Sequence, residues 1–136
     1  MKKRVIVVII ILVLILGNGF GKWPFKDLTR DDIVNVSLSA TPSGKTIEIQ
    51  DDFQIQSLVD TLNSVVIYKE DDTGREGVRQ SVQFILSMND GSIVKVEPAG
   101  TFMLINDKCY KTKIEPCLKL YTLGNRLISY SKEKLR

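Results

Sequence analysis

The sequence predicts an α+β fold: a mainly antiparallel sheet of about six to seven strands with two helices on one face, preceded by an N-terminal signal or anchor segment. Polar and apolar residues alternate in several short runs joined by turn residues, which is the pattern of antiparallel strands. Two longer stretches repeat apolar residues at spacings of three and four, as amphipathic helices do. Because these helices do not alternate with the strands, both are expected on the apolar face of a single sheet.

The N-terminus carries an export pattern. Residues 2–4 are basic, Val5 to Leu16 is an unbroken run of twelve Val, Ile and Leu residues, and glycines follow at 17, 19 and 21. A basic end, a short apolar stretch and small residues are typical of a signal peptide. Left uncleaved, residues 5–20 would form a helix of about 24 Å, a short single-pass anchor with the domain outside. Cleavage at the glycines would instead release a secreted protein.

Net charge and residue types exclude several classes of function. The formal charge of +3 belongs to the first 22 residues, and the remainder holds 15 basic and 16 acidic residues. No basic face for nucleic acid is therefore expected. The chain has no His, which excludes His-dependent catalysis and His metal sites, and its two Cys are too few for a Cys-only zinc site. We expect no cofactor and no metal.

The chain divides into a leader (1–21), a stalk (22–32), one extracytoplasmic α+β domain (33–130) and a charged tail (131–136). The Trp23-Pro24-Phe25 sequence opposes a helix, and one capped turn is expected at Leu28 to Asp32. A polar loop is expected from Glu70 to Gly77. The predicted strands cover residues 34–40, 46–50, 65–68, 81–88, 94–97, 102–105 and 108–112.

The first predicted helix follows Asp51, which forms a capping box with Gln54, and Asn63 is expected to end it. Its buried stripe is Ile55, Leu58, Val59 and Leu62. The last helix opens at Glu115-Pro116, where Pro is tolerated. Its predicted stripe is Cys117, Leu120, Tyr121, Gly124 and Ile128, with the closest approach to the sheet at Gly124.

The register of one hairpin can be predicted from the chain. After Asn89-Asp90-Gly91, a two-residue turn would place Leu86 opposite Lys95, whereas a three-residue loop places Leu86 opposite Val94 and Phe84 opposite Val96. The longer loop keeps one face apolar, and Gly91 supplies the left-handed conformation that it needs.

Five stretches carry a resemblance to a family: Tyr110 to Cys117, Leu118 to Leu127, Leu28 to Ile33, Thr46 to Ile49 and Leu62 to Tyr68. Over roughly residues 27–128 the chain resembles an uncharacterised extracytoplasmic domain of Gram-positive, Clostridium-like bacteria. Similar segments are appended to membrane proteins of the penicillin-sensing antirepressor metallopeptidase type, whose zinc helix this chain lacks. Relatives favour Asn-Gly where this chain has Asn106-Asp107. The resemblance implies an envelope location and no specific activity.

Candidate functional residues concentrate in the most family-like stretch. A ligand or partner surface is predicted there, with a hydrogen-bonded brace between the last hairpin and the last helix as the alternative. The candidate surface comprises Tyr110, Lys111, Lys113, Glu115, Asn125 and Arg126.

Two further features have competing interpretations. Both Cys109 and Cys117 are expected to face the core, either as a disulfide, which export permits, or as two buried thiols. The acidic stretch Asp71 to Glu76 lacks the ligand spacing of a calcium loop, so a solvated loop is favoured.

The leading functional hypothesis is a membrane-tethered or secreted, non-enzymatic domain with a binding, sensing or accessory role at the cell envelope. Its expected partners are the membrane, through residues 5–20, and an envelope protein. One alternative is a carboxylate-based hydrolase of envelope polymer, which would need a cleft with two carboxylates. Another is an inhibitor or immunity-type protein that docks on an enzyme through an apolar loop or a free sheet edge.

Overall fold

The computed structural model describes residues 21–41, 44–77 and 81–134, so the predicted leader lies outside the described residues. Seven strands are β1 (Ile33–Thr41), β2 (Thr46–Ile49), β3 (Ile67–Glu70), β4 (Ser81–Met88), β5 (Ile93–Ala99), β6 (Phe102–Ile105) and β7 (Lys108–Thr112). Two α-helices are α1 (Asp52–Asn63) and α2 (Ile114–Lys134), and short 3₁₀ segments cover Arg30–Asp32 and Asp72–Gly77.

In this part of the chain the strands form one antiparallel sheet in the order β2-β1-β4-β5-β6-β7-β3. Both helices pack on one face of it, where side chains such as Leu58, Phe84 and Leu120 share a single buried cluster. The predicted α+β fold with two helices on one sheet face is therefore confirmed.

Helix α1 has the predicted N-cap, buried stripe and end, with only the Asp51 half of the predicted capping box. The Asp51 carboxylate accepts hydrogen bonds from the backbone N–H groups of Phe53 (2.8 Å) and Gln54 (3.1 Å), which satisfies two free donors of the first turn. The predicted stripe of Ile55, Leu58, Val59 and Leu62 is buried, and the helix ends at Asn63.

The β4–β5 hairpin has the predicted register. Phe84 lies opposite Val96 and Leu86 opposite Val94. Gly91 has a φ of +89°, the left-handed conformation that glycine adopts without steric cost. The apolar sides of both strands therefore face the helices, as predicted.

The side chain of Val34 in β1 points to solvent, whereas the alternating pattern predicts it on the core side. The pairing of β1 with β4 shifts register between Ile33 and Asn35. This irregularity buries Ile33 and leaves Val34 67% exposed, although alternation alone would place Val34 inside.

The expected stalk over residues 22–32 is corrected, because this segment packs on the domain. Phe25 and Leu28 belong to the buried cluster. The Asn63 amide donates to the carbonyls of Phe25 (2.7 Å) and Leu28 (3.0 Å) and so ties the segment to the end of α1. The predicted capped turn is present, since Thr29 and Asp32 cap the 3₁₀ segment.

The region between α1 and β4 also differs from its prediction. Val65 and Val66 are buried but precede β3, which begins two residues later than expected. The expected polar loop over residues 70–77 is instead the end of β3 and a 3₁₀ helix. Gly74 of that helix lies so close to Phe102 that an added Cβ would sit 2.3 Å from the Phe102 ring. This segment packs near β5, β6 and β7 on the sheet face opposite α1 and α2.

Helix α2 is longer than predicted and slightly rotated. It continues to Lys134, through residues that we expected in a charged tail. Its buried stripe includes Leu127, whereas Tyr121, which we predicted inside, is exposed. The stripe centres on Leu120 and Gly124, which leaves Tyr121 at its margin.

Candidate functional site

The two helices lie side by side on the sheet and leave an open groove between them. Its volume is about 370 Å³, and its lining comprises Ser57 and Thr61 of α1 with Leu118, Lys119, Thr122, Leu123 and Arg126 of α2. Ser57 and Thr61 are four residues apart, and Lys119, Thr122 and Arg126 follow at spacings of three and four. Each set therefore lies along one side of its helix, next to the buried stripe.

The groove is cationic. Lys119 and Arg126 contribute two positive charges, and its seven lining residues include no acid. Asp60, beside Thr61 in sequence, accepts a hydrogen bond from the Gln56 amide at 2.9 Å on the exposed side of α1. A guanidinium and an ammonium group along one wall can bind an anionic group, the guanidinium in a bidentate manner.

Hydroxyl groups complete the polar lining. The Thr61 hydroxyl donates to the Ser57 carbonyl at 2.9 Å, so its lone pairs remain available to accept hydrogen bonds. The Ser57 and Thr122 hydroxyls lie along opposite walls and can donate to a ligand. Leu118 and Leu123 add apolar surface. The groove therefore suits a ligand that carries both an anionic group and an apolar portion.

The structure does not bring the six predicted surface residues together. Arg126 lines the groove, while Glu115 and Asn125 are exposed elsewhere on α2, and the Asn125 amide donates to the Tyr121 carbonyl at 3.0 Å. Lys111 is exposed on β7, and the Lys113 backbone N–H donates to the Val66 carbonyl at 3.0 Å.

Tyr110 is the clear correction among these residues. It is buried on the helix-facing side of β7, opposite Met103, and burial raises the pKa of its hydroxyl. Its side chain is part of the core and cannot belong to a binding surface.

A brace between the last hairpin and the last helix does exist, but other residues make it. The Thr112 hydroxyl and the Cys117 thiol lie 2.9 Å apart, and both are buried. Thr112 also donates through its backbone N–H to the Thr101 carbonyl at 2.8 Å. The buried residues Thr112 and Cys117 therefore connect β7 to α2, and the predicted Lys and Glu side chains do not.

The two cysteines are free, and they lie on opposite faces of the sheet. Cys117 contacts Thr112 on the helix-facing side, whereas Cys109 is three residues before Thr112 in the same strand and so points the other way. The expectation that both face the core is corrected for Cys109, which is buried outside the core cluster. Burial raises the pKa of both thiols.

Asp71 and Asp72 of the acidic stretch form hydrogen bonds or ion pairs with neighbouring residues. Asp71 accepts hydrogen bonds from the hydroxyl (2.6 Å) and the backbone N–H (3.0 Å) of Thr73, which hold the pKa of its carboxyl below the usual value. Asp72 pairs with Arg75 at 3.1 Å, and Arg75 also donates to the Asp107 carbonyl. Among the described residues no three potential ligands are placed to hold a metal ion.

Sequence reasoning identified Arg126 but missed the rest of the groove, in particular Lys119. A signal was present in the chain: Lys119 and Arg126 are seven residues apart, close to two helical turns, beside the buried stripe. Nothing in the chain indicated that Ser57 and Thr61 of α1 would lie opposite them, about sixty residues away.

No protein-family model, curated protein or solved structure matches this chain. The resemblance to an extracytoplasmic family therefore stays a prediction. Among the described residues, no helix combines the length and apolar composition needed to cross a membrane, and the predicted leader lies outside them.

Proposed function

We propose that the chain is a non-catalytic binding domain, held at the outer face of the cell membrane by its leader, and that the groove between α1 and α2 receives an anionic group of its ligand. The observation that carries the proposal is the placement of Lys119 and Arg126 along one wall, with hydroxyls on the facing helix and no acid in the lining. The location rests on the export pattern of residues 2–21.

The placement of the two cysteines disfavours thiol-based catalysis at the groove. Both thiols are buried away from the groove, and burial disfavours the reactive thiolate form by raising their pKa. The hydrolase alternative called for a cleft with two carboxylates, whereas hydroxyls, bases and leucines line this groove. An open, preformed groove with charge on one wall fits recognition of a ligand segment.

Titration of the full chain in detergent micelles tests the proposal. Inorganic phosphate and a hexapeptide of glutamate are the two anionic probes, which distinguish phosphate from carboxylate recognition, and a hexapeptide of lysine is the control probe. Nuclear magnetic resonance should show shifts of the Ser57, Thr61, Lys119 and Thr122 amides with an anionic probe, but not with the lysine peptide.

Matched variants give the second readout. Lys119→Gln and Arg126→Gln should each weaken binding about tenfold or more, the loss expected for a charge-assisted hydrogen bond. Lys95→Gln removes the same charge from the opposite sheet face and should leave affinity nearly unchanged. Equal losses in all three variants, or shifts that map outside the groove, would refute the groove as the binding site.

A further inference from the structure

Three stretches of chain meet at the edge of the sheet formed by β3. The Lys22 N–H donates to the Ile67 carbonyl at 2.8 Å, and the Ile67 N–H donates to the Lys22 carbonyl at 2.9 Å, so Lys22 lies along the outer side of β3. The Lys113 N–H donates to the neighbouring Val66 carbonyl at 3.0 Å. Residues 21–23, 66–69 and 111–114 are therefore neighbours, and their exposed side chains make up the surface of this edge.

This surface exposes three large side chains with apolar character. Trp23 is 53% exposed, Tyr68 38% and Ile114 45%. Trp and Tyr combine an apolar ring with one polar group, and they concentrate at the boundary between lipid and water. These side chains lie close to the end of the apolar leader, so a leader anchored in the membrane would hold them near the lipid.

The same surface is rich in lysine. Lys22, Lys26, Lys69, Lys111 and Lys113 lie within or beside the three stretches, against Asp27, Glu70, Asp71 and Glu115 at their margins. Lys69 stands directly opposite Lys111 in the β3–β7 pair, an arrangement of like charges that is unfavourable in isolation. In the described part of the chain no salt bridge involves any of the five. The Asp71 carboxylate lies close enough to attract both Lys69 and Lys111, and an external anionic surface would offset the remaining repulsion.

The tether is short. Lys22, which is hydrogen-bonded to β3, lies six positions after Leu16, the last residue of the apolar run. Fully extended, six residues span at most about 22 Å. An anchored leader therefore keeps this edge, and not the distant β2 edge, close to the bilayer.

From these observations we infer that the β3 edge is a membrane-facing edge, which docks on anionic phospholipid headgroups. We define it as Lys22, Trp23, Tyr68, Lys69, Lys113 and Ile114. The aromatic side chains enter the headgroup layer, and the lysines bind lipid phosphates. This inference rests on the membrane tether of the proposed function. It adds an orientation: α2 begins at this edge and crosses toward β4, so its groove residues lie progressively farther from the bilayer.

Trp23 is the only tryptophan in the chain, so fluorescence can report on one position at a time. The full chain is reconstituted in vesicles of phosphatidylcholine and phosphatidylglycerol, about three to one. One reporter carries Trp23→Phe with Tyr68→Trp at the membrane-facing edge. The matched reporter carries Trp23→Phe with Phe53→Trp at the start of α1, just after β2. The β2 and β3 edges are about 29 Å apart across seven strands spaced by roughly 4.8 Å.

The reporter at position 68 should be quenched by lipids brominated on their acyl chains and shielded from acrylamide, whereas the reporter at position 53 should show neither effect. Equal acrylamide access at both positions, in chains that float with the vesicles, would overturn the inference and leave the groove proposal intact. Chains that do not float with the vesicles would overturn the tether and the inference together.

Charge variants give an independent readout. Lys69→Gln with Lys113→Gln, in the position-68 reporter, should lower the ratio of docked to undocked domain roughly fivefold per lysine. Lys95→Gln with Lys45→Gln makes the same net charge change in β5 and beside β2, away from the edge, and should leave the ratio unchanged. Identical behaviour of the two pairs would overturn the role of lipid phosphates.

Discussion

Gly124 and Val82 determine how closely α2 can approach the sheet. A Cβ built on Gly124 would lie 2.6 Å from Val82 Cγ2 and 2.9 Å from Val82 Cβ, distances that real Cβ atoms do not reach. Val82 is β-branched and stiff, and it is buried in β4, so it cannot rotate away. This contact agrees with the closest approach predicted at Gly124.

Replacing Gly124 with Leu should therefore lower the free energy of unfolding by about 1–3 kcal/mol through overpacking, measured by urea denaturation. Asn125→Leu adds the same side chain one residue along, on the exposed side of α2, and should cost much less. Gly124→Ala should cost less in a Val82→Ala background than in the wild type, since the smaller residue makes room. A Gly124→Leu chain as stable as wild type would contradict the packing of α2.

The positions of the two cysteines also lead to a prediction. Because the thiols lie on opposite faces of the sheet, they cannot form an intramolecular disulfide without unfolding. Both should react slowly with N-ethylmaleimide in the native chain and completely in denaturant, with mass spectrometry as the readout. Protection from the reagent after denaturation without reductant would reveal a disulfide and contradict the structure.

Glu97 should make stability depend on pH. Burial beside Leu104, and then the nearby Asp107 charge, raise the pKa of its carboxyl above the usual value of 4.5. The folded chain thus binds this proton more tightly than the unfolded chain. The associated stability is fully present below the usual Glu pKa and is lost as pH rises through the folded pKa.

The Glu97→Gln variant removes this effect. Its free energy of unfolding, relative to wild type, should increase as pH rises from about 4 toward 7 in urea denaturation series. Glu48→Gln removes the same charge from an exposed strand position and serves as the control for net charge. A constant difference between Glu97→Gln and wild type across this range would contradict the prediction.

Individual elements could be predicted where local pattern and burial agree. The β4–β5 register followed from the need to keep Phe84 and Leu86 on one apolar face, and α1 followed from its cap and stripe. The bulge at Ile33, by contrast, changes which side chain is buried without altering the local pattern. The 3₁₀ helix over residues 72–77 depends on the distant Phe102, against which Gly74 packs. Such tertiary contacts leave little trace in sequence periodicity.

Helix α1 offers a paired test of its orientation. Leu58 is fully buried, so Leu58→Asp places an unpaired charge in the core and should unfold the domain, as read by circular dichroism. Phe53 is 80% exposed on the same helix, and Phe53→Asp should leave the domain folded. If both variants fold equally well, the assignment of the buried face is wrong.

The arrangement of the whole molecule depends on the predicted leader. We expect the protein to fractionate with membranes and to be shaved from intact cells by protease, leaving a stub that contains Val5 to Leu16. A gel or mass measurement of that stub is the readout, with a cytoplasmic protein of the same cells as the control for lysis. Recovery of the full chain in the cytosolic fraction would contradict export.

The groove illustrates why a site made by two distant elements is harder to predict than a strand. Arg126 could be singled out because it lies in a distinctive stretch. Its relation to Ser57 depends on how α1 and α2 pack together on the sheet, and that packing follows from the whole core rather than from either helix.

The strand order also bears on how the domain assembles. Strands β4 to β7 are consecutive in the chain and pair in that order, so each hairpin closes a short loop at little entropic cost. Strand β3 pairs instead with β7, and about forty residues of chain lie between the paired positions, such as Ile67 and Thr112. The meander is therefore expected to form first, before β1 pairs with β4 and β3 pairs with β7, since both of these pairings join residues forty or more positions apart. Both outer parts of the sheet, including the Lys22 pairing nearest the leader, would then close onto a meander that has already formed.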